Sequence, residues 1–173
     1  MGHKGCVYNA TFHPRNPDVM ATAGADGTCR LWDIKTQKNV LAIPAHSNEV
    51  LCCDFNKYDD LIVTGSNDNT IKVWDLRRAS QPIFMLFGHR YPVKKVKFSP
   101  FNRDILLSCG FDMTVRLWNI LDPVDPLKKT HDRHHEFVQG IDWSQHVDNL
   151  IASISWDQKL YVFNPLGDQP FVP

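Results

Sequence analysis

The chain has 173 residues, 43% of them hydrophobic, with 19 basic and 19 acidic side chains. A formal net charge of zero leaves no global field to recruit nucleic acid or an anionic membrane. No run is apolar for long enough to span a bilayer, and the N-terminus has no signal-peptide pattern. The C-terminal Gln169-Pro170-Phe171-Val172-Pro173 is not a Ser-Lys-Leu-type address.

In chain order, the first block (approximately 1–41) carries His3, Thr22, Asp26 and Trp32, with Phe12-His13-Pro14 marking a strand end. The second (42–84) carries His46, Thr64, Asp68 and Trp74. Its apolar or alternating runs Val50–Phe55, Leu61–Gly65 and Thr70–Asp75 read as three strands around the turns Asn56–Asp60 and Ser66–Asn69. The third (85–127) carries His89, Ser108, Asp112 and Trp118, with Phe98-Ser99-Pro100 at a strand end. The fourth (128–173) carries His134, Ser153, Asp157 and Phe163. It is expected to end after three strands at Tyr161-Val162-Phe163-Asn164, with a Pro-rich tail.

The aromatics fall 42, 44 and 45 residues apart, each six residues after the aspartate and each followed by Asp or Asn. Such a period with Trp-Asp endings is the signature of β-propeller blades. No stretch sustains a helical apolar period over twelve residues. Of the 19 acids, 17 are aspartate, a turn residue, and only two are glutamate, a helix former, which supports an all-β chain. The blocks resemble WD repeats over essentially the whole chain. The family implies that histidine, hydroxyl, aspartate and tryptophan form a buried hydrogen-bonded relay. His with Asp and Ser/Thr also spells a catalytic triad, but four copies at one spacing argue for framework, and no other catalytic constellation remains once the repeat frame is removed.

Propellers close with 4 to 8 blades. The chain begins at a Gly-His position and ends after three strands of its last block, so the expectation is four blades of a longer, seven-bladed ring; the alternative is two copies paired into a larger ring. Cys6, Cys29, Cys52, Cys53 and Cys109 are an odd set without Cys-x-x-Cys spacing, most of them in apolar strand contexts, which reads as free thiols in a reducing compartment. His131, His134 and His135 with Asp132 raise a metal site, but His134 belongs to the repeat frame and the others fall in a polar loop. No cofactor is expected.

In the WD family the top face is lined by the residues three and five after the histidine and the residue before the aspartate. Here these are Cys6, Tyr8 and Ala25; Glu49, Leu51 and Asn67; Pro92, Lys94 and Phe111; and Phe137, Gln139 and Trp156. Large aromatics at Phe111 and Trp156, in a turn where polar residues are the rule, point to binding, or else to packing against neighbouring loops. Glu49 and Glu136 also fall in these loops and suit a cationic ligand, or simple solvation. The candidate binding residues are therefore Glu49, Phe111, Glu136, Phe137 and Trp156.

Several stretches resemble the peroxin-7 family, receptors for the type-2 peroxisomal targeting signal. They are Cys6-Val7-Tyr8, Asp54-Phe55-Asn56-Lys57-Tyr58-Asp59-Asp60, Val93–Pro100, Asp112-Met113-Thr114-Val115, His134-His135-Glu136-Phe137 and Gly140-Ile141-Asp142. The resemblance is to the family's C-terminal portion. It implies a non-enzymatic import receptor whose cargo is matrix proteins with an N-terminal Arg-Leu, five residues, His-Leu signal. It also implies a co-receptor of the peroxin-5 or peroxin-20 type, peroxisomal docking proteins, and cycling between cytosol and peroxisome matrix. That signal is an amphipathic helix, whose complement is an apolar groove flanked by carboxylates. A second reading is a substrate adaptor of a cullin-type ubiquitin ligase, because block two ends Trp74-Asp75-Leu76-Arg77, resembling the box that engages the ligase linker.

Overall fold

The structure, a computed structural model, describes residues 2–167 and the backbone of residues 170 and 171. Of the C-terminal Gln169–Pro173 considered above, Gln169, Val172 and Pro173 lie outside them. Among the described residues sixteen strands form four antiparallel sheets, each a meander of consecutive strands. The first holds β1 (Val7–Phe12), β2 (Val19–Gly24), β3 (Thr28–Asp33) and β4 (Lys38–Pro44). The second holds β5 (Val50–Phe55), β6 (Leu61–Ser66), β7 (Ile71–Asp75) and β8 (Phe84–Leu86). The third holds β9 (Val93–Phe98), β10 (Ile105–Gly110), β11 (Val115–Asn119) and β12 (Leu127–His131). The fourth holds β13 (Val138–Trp143), β14 (Ile151–Ser155), β15 (Leu160–Phe163) and β16 (Pro170–Phe171). Strands β1, β5, β9 and β13 neighbour one another in turn, so the sheets fan out as successive blades of a propeller arc.

Two expectations are corrected here. The fourth block does not stop at three strands: Pro170 and Phe171 pair with Phe163 and Val162. The block edges after residues 41, 84 and 127 each fall within a strand, β4, β8 and β12. The strand after each tryptophan pairs with the tryptophan strand, as Leu117 with Lys129 or Val73 with Phe84, so it closes its own sheet instead of opening the next.

The core lies in the seams between blades. Ala21, Ala23, Leu31 and Ile43 of the first pack on Val50, Cys53, Phe55, Ile62 and Trp74 of the second. Val63, Ile71 and Val73 meet Val93, Val96, Phe98, Leu106 and Trp118. Leu107, Cys109, Val115 and Leu117 meet Val138, Ile141, Trp143, Ile151 and Phe163. Strand alternation sends successive side chains to opposite faces, so each inner sheet feeds two seams. The approach is close at Gly65, where an added Cβ would lie 2.8 Å from both Cys52 Sγ and Val93 Cγ1.

A further clamp ties blades together at the end opposite the histidines. Asn56, 1% exposed, accepts from the Tyr58 and Asp59 amides and donates to the Arg103 carbonyl of the third blade at 2.7 Å. The Tyr58 hydroxyl donates to the Pro100 carbonyl at 2.7 Å. Arg15 of the first blade donates to the Tyr58 carbonyl and pairs with Asp60 at 2.6 Å. The Asn-Lys-Tyr-Asp-Asp turn thus joins three blades.

Candidate functional site

The relay positions are brought together in every blade. His3 Nδ1 lies 2.9 Å from Asp26 and its Nε2 2.7 Å from the Thr22 hydroxyl, which accepts from Trp32 Nε1 at 2.8 Å. His46 joins Asp68 and Thr64, with Trp74 donating to Thr64. His89 joins Asp112 and Ser108, with Trp118 donating to Ser108. His134 joins Asp157 and Ser153, but Phe163 has no N–H to complete the chain. A carboxylate only accepts, so Nδ1 carries the proton and Nε2 accepts from the hydroxyl. All four carboxyls sit below the usual carboxylate range. For Asp112, burial alone pushes upward, but hydrogen bonds from His89, Thr114 and the Arg90 amide bring it down to about 2. Burial holds the His46 imidazole below its ordinary value against the pull of Asp68.

The residue after each aspartate takes a left-handed conformation: Gly27 (φ 72°), Asn69 (67°), Met113 (65°) and Gln158 (66°). Glycine is needed at position 27, where a Cβ would lie 2.7 Å from the His46 carbonyl oxygen. In all four turns the aspartate accepts the amide two residues on, from Thr28, Thr70, Thr114 or Lys159. These turns stand beside the loops after the histidines. The amide before each aspartate donates across: Ala25 to Cys6, Asn67 to Glu49, Phe111 to Pro92, Trp156 to Phe137. One rim is thereby built four times.

The residue five after each histidine is a β-bulge. Pairing shifts between Val7 and Asn9, between Val50 and Cys52, opposite Cys109 and Gly110, and between Val138 and Gly140. Tyr8, Leu51, Lys94 and Gln139 are the extra residues, released from the ladder and re-aimed.

On this rim the structure gathers Phe111, Phe137 and Trp156. The Phe111 and Phe137 rings lie 4.9 Å apart and the Phe137 and Trp156 rings 5.4 Å apart, a continuous cluster across the third and fourth blades. Trp156 is 62% exposed; Phe111 and Phe137 are half-buried because each packs on its neighbour, so packing and exposure both operate. Glu136, beside Phe137 in the chain, is exposed. Glu49 is not part of this cluster. It lies on the second blade, where it accepts from the Tyr8 hydroxyl of the first at 3.0 Å. That bond holds the Tyr8 hydroxyl above its usual pKa.

Two rim residues escaped the candidate set. Tyr91, two after His89, is 60% exposed, and nothing in its variable position signals it. The Gln139 Nε2 is buried without a hydrogen-bond partner among the described residues, and its bulge position was the available signal.

The remaining motifs lie elsewhere. His131 is not in a polar loop: it ends β12, buried, donating to the Pro165 carbonyl at 3.1 Å and meeting the Phe163 ring edge-on. His134 is held in the relay and His135 is exposed, so the three histidines do not converge. Arg77 folds back on Asp75 in a bidentate pair at 3.0 and 2.9 Å. Cys29, Cys52, Cys53 and Cys109 are buried free thiols, and Cys6 is exposed.

The WD domain, G-beta repeat family matches residues 1–33, 37–75, 80–119 and 126–164. The chain is 43% identical to the peroxisomal targeting signal 2 receptor of Mus musculus, across 92% of this chain and 78% of that protein. It is 30% identical to the receptor of the same name from Schizosaccharomyces pombe, across 94% of the chain and 53% of the relative. With the Saccharomyces cerevisiae receptor it shares 32% identity, across 95% and 54%. The chain spans about half the length of these two yeast relatives. Four matched repeats and this similarity over most of the mouse protein show that the chain is a WD-repeat protein belonging to the peroxisomal targeting signal 2 receptor family.

Proposed function

We propose that this chain acts as a non-enzymatic receptor for proteins bearing the N-terminal type-2 peroxisomal targeting signal, and that cargo engages the histidine-side rim. The observation that carries this reading is the contiguous Phe111–Phe137–Trp156 cluster with its exposed indole. An amphipathic helix offers leucines to such a surface and its cation to a nearby carboxylate, here Glu136. Glu49 would act from the second blade, at the edge of the footprint and already engaged by Tyr8. The relay residues serve as framework that fixes the rim. A co-receptor of the peroxin-5 or peroxin-20 type and docking proteins would complete the import complex, with the receptor cycling between cytosol and matrix.

The test is titration of a labelled Arg-Leu-x5-His-Leu peptide into the protein, with Trp156→Ala and Phe137→Ala beside it. Both variants are expected to weaken binding at least tenfold. Wild-type affinity in both would refute the rim assignment. Binding equal to that of a scrambled peptide would refute the receptor reading itself.

A further inference from the structure

The connection from β7 to β8 in the second blade serves neither the rim nor the relay. It runs over residues 76–83, against 34–37 at the same place in the first blade. Arg77, Arg78, Ser80 and Gln81 are exposed, and Ala79 and Pro82 are half-buried. Its first half is anchored. The Asp75 carboxylate accepts from the Arg77 amide, Nε and Nη2, and the Arg78 amide donates to the Asp75 carbonyl. Beyond Arg78 the anchoring stops: among the described residues, Ala79, Ser80 and Gln81 make no hydrogen bond. Ala79 packs on the first seam, and ladder bonding resumes only where the Ile83 amide donates to the Val73 carbonyl at 2.8 Å. A segment with so few buried contacts opens locally with little loss of stability, and so can be drawn out into an extended form.

The run Arg77-Arg78-Ala79-Ser80 places two guanidinium groups three and two residues before a hydroxyl. Of the serines and threonines in the chain, Ser80 alone has an arginine at either step. Protein kinases select substrates partly by charge pattern, and acidic subsites on a kinase would take such a pair through charge-assisted hydrogen bonds. Both arginines can be reached. Arg78 makes no ion pair or side-chain hydrogen bond among the described residues. Arg77 is 70% exposed in its pair with Asp75, and an exposed pair of this kind is weak. Together with Asp75 the two line an open cavity of about 430 Å³.

We propose that Ser80 is a phosphorylation site for a serine kinase that selects arginines two and three residues before its acceptor. The Ser80 Oγ attacks the γ-phosphorus of a nucleoside triphosphate and the bond to the β-phosphate oxygen breaks. The hydroxyl proton passes to the kinase's base, and the nucleoside diphosphate leaves. The product carries roughly −1.5 to −2 charge beside the same arginines that recruited the kinase. The phosphate takes up Arg78 and competes with Asp75 for Arg77. This inference is independent of the cargo reading.

Incubation of the 173-residue protein with a serine kinase of this arginine specificity and magnesium ATP tests it, with the modified residue mapped by mass spectrometry. Phosphate is expected on Ser80 and on no residue of Ser80→Ala. Arg77→Ala combined with Arg78→Ala should lower the initial rate at least tenfold, with circular dichroism to confirm the fold. Arg78→Ala alone replaces the pair if the double variant misfolds. A kinase that selects acidic flanks should leave Ser80 unmodified. Phosphorus NMR of the modified protein should place the second phosphate ionisation below its usual value of about 6, because the arginines favour the dianion. Phosphorylation of a peptide of residues 74–84 but not of the folded protein overturns the proposal. So does phosphate on another residue, or a rate indifferent to the arginines. An ionisation at or above about 6 would refute the capture of Arg78.

Discussion

Trp156 donates its backbone amide to the Phe137 carbonyl at 3.1 Å while the two rings lie 5.4 Å apart. The same amide-to-carbonyl bond recurs in the other blades, so the backbone fixes a rim on which only the side chains differ. Removing the Trp156 indole leaves that bond intact. Trp156→Ala should cost little stability yet cost binding of the signal peptide about 2 kcal/mol, the scale of an aromatic hot spot. Fluorescence anisotropy with a urea melt on the same samples separates the two effects.

The relay makes a differential prediction. The Ser108 oxygen serves both His89 and Trp118, each at 2.7 Å, whereas Ser153 serves His134 and meets a phenylalanine at the relay's end. Ser108→Ala strands two buried groups and should cost roughly 1–3 kcal/mol for each donor or acceptor left unsatisfied. Ser153→Ala strands one and should cost less. Urea midpoints of the two variants check the order.

Acid should unfold the protein in two stages. His46 has a depressed pKa when folded, so the unfolded chain binds more protons below its ordinary 6.5 and stability declines as pH falls through that value. The relay carboxyls are depressed as well, so their stabilisation is present above 3.8 and is lost as pH falls toward the folded value, about 2 for Asp112. Ellipticity followed from pH 7 to pH 2 in mild urea should show both losses. A flat profile between pH 7 and 5 would contradict the His46 contribution.

Met113 occupies a left-handed turn at φ 65° without the freedom of glycine. That conformation costs an L-residue roughly 1–2 kcal/mol, partly offset by the entropy a glycine loses on folding. Met113→Gly should therefore stabilise the third blade by under about 1 kcal/mol, read as a raised thermal midpoint.

The clamp at the opposite end should affect stability and leave binding alone. Asn56→Ala removes three hydrogen bonds at a buried position, whereas Arg15→Ala loses an exposed pair worth about 1 kcal/mol or less. Peptide affinity should be unchanged in both, and a loss in either would place the binding surface elsewhere.

The relay and the first three strands of each blade were legible because their chemistry is constrained. A buried imidazole requires its carboxylate at a fixed step, and Leu61–Ser66 or Ile71–Asp75 must be apolar to fill two seams. The fourth strands were not. Leu127–His131 alternates with nothing recognisable because most of its side chains face water, and the edge of a blade tolerates Lys128, Lys129 and Thr130. Which candidates meet on the rim also lay beyond the sequence. Repeat spacing sets Glu49 and Glu136 a whole block apart, but it does not show that the Tyr8 hydroxyl of the first blade engages Glu49 or that Phe111, Phe137 and Trp156 meet. The Asn56–Asp60 turn stood out by its wording, yet its partners Arg15, Pro100 and Arg103 come from other blades.

The bulge five residues after each histidine has a consequence for how such a surface can change. An ordinary strand residue belongs to a pleat, and its replacement disturbs whichever seam it faces. Tyr8, Leu51, Lys94 and Gln139 stand outside that arithmetic, and a phenol, an alkyl chain, an ammonium and an amide occupy one place without altering the blades around them. A substitution at these positions breaks no ladder pairing, so the chemistry of the rim can change there with less disturbance of the blades than at an ordinary strand residue.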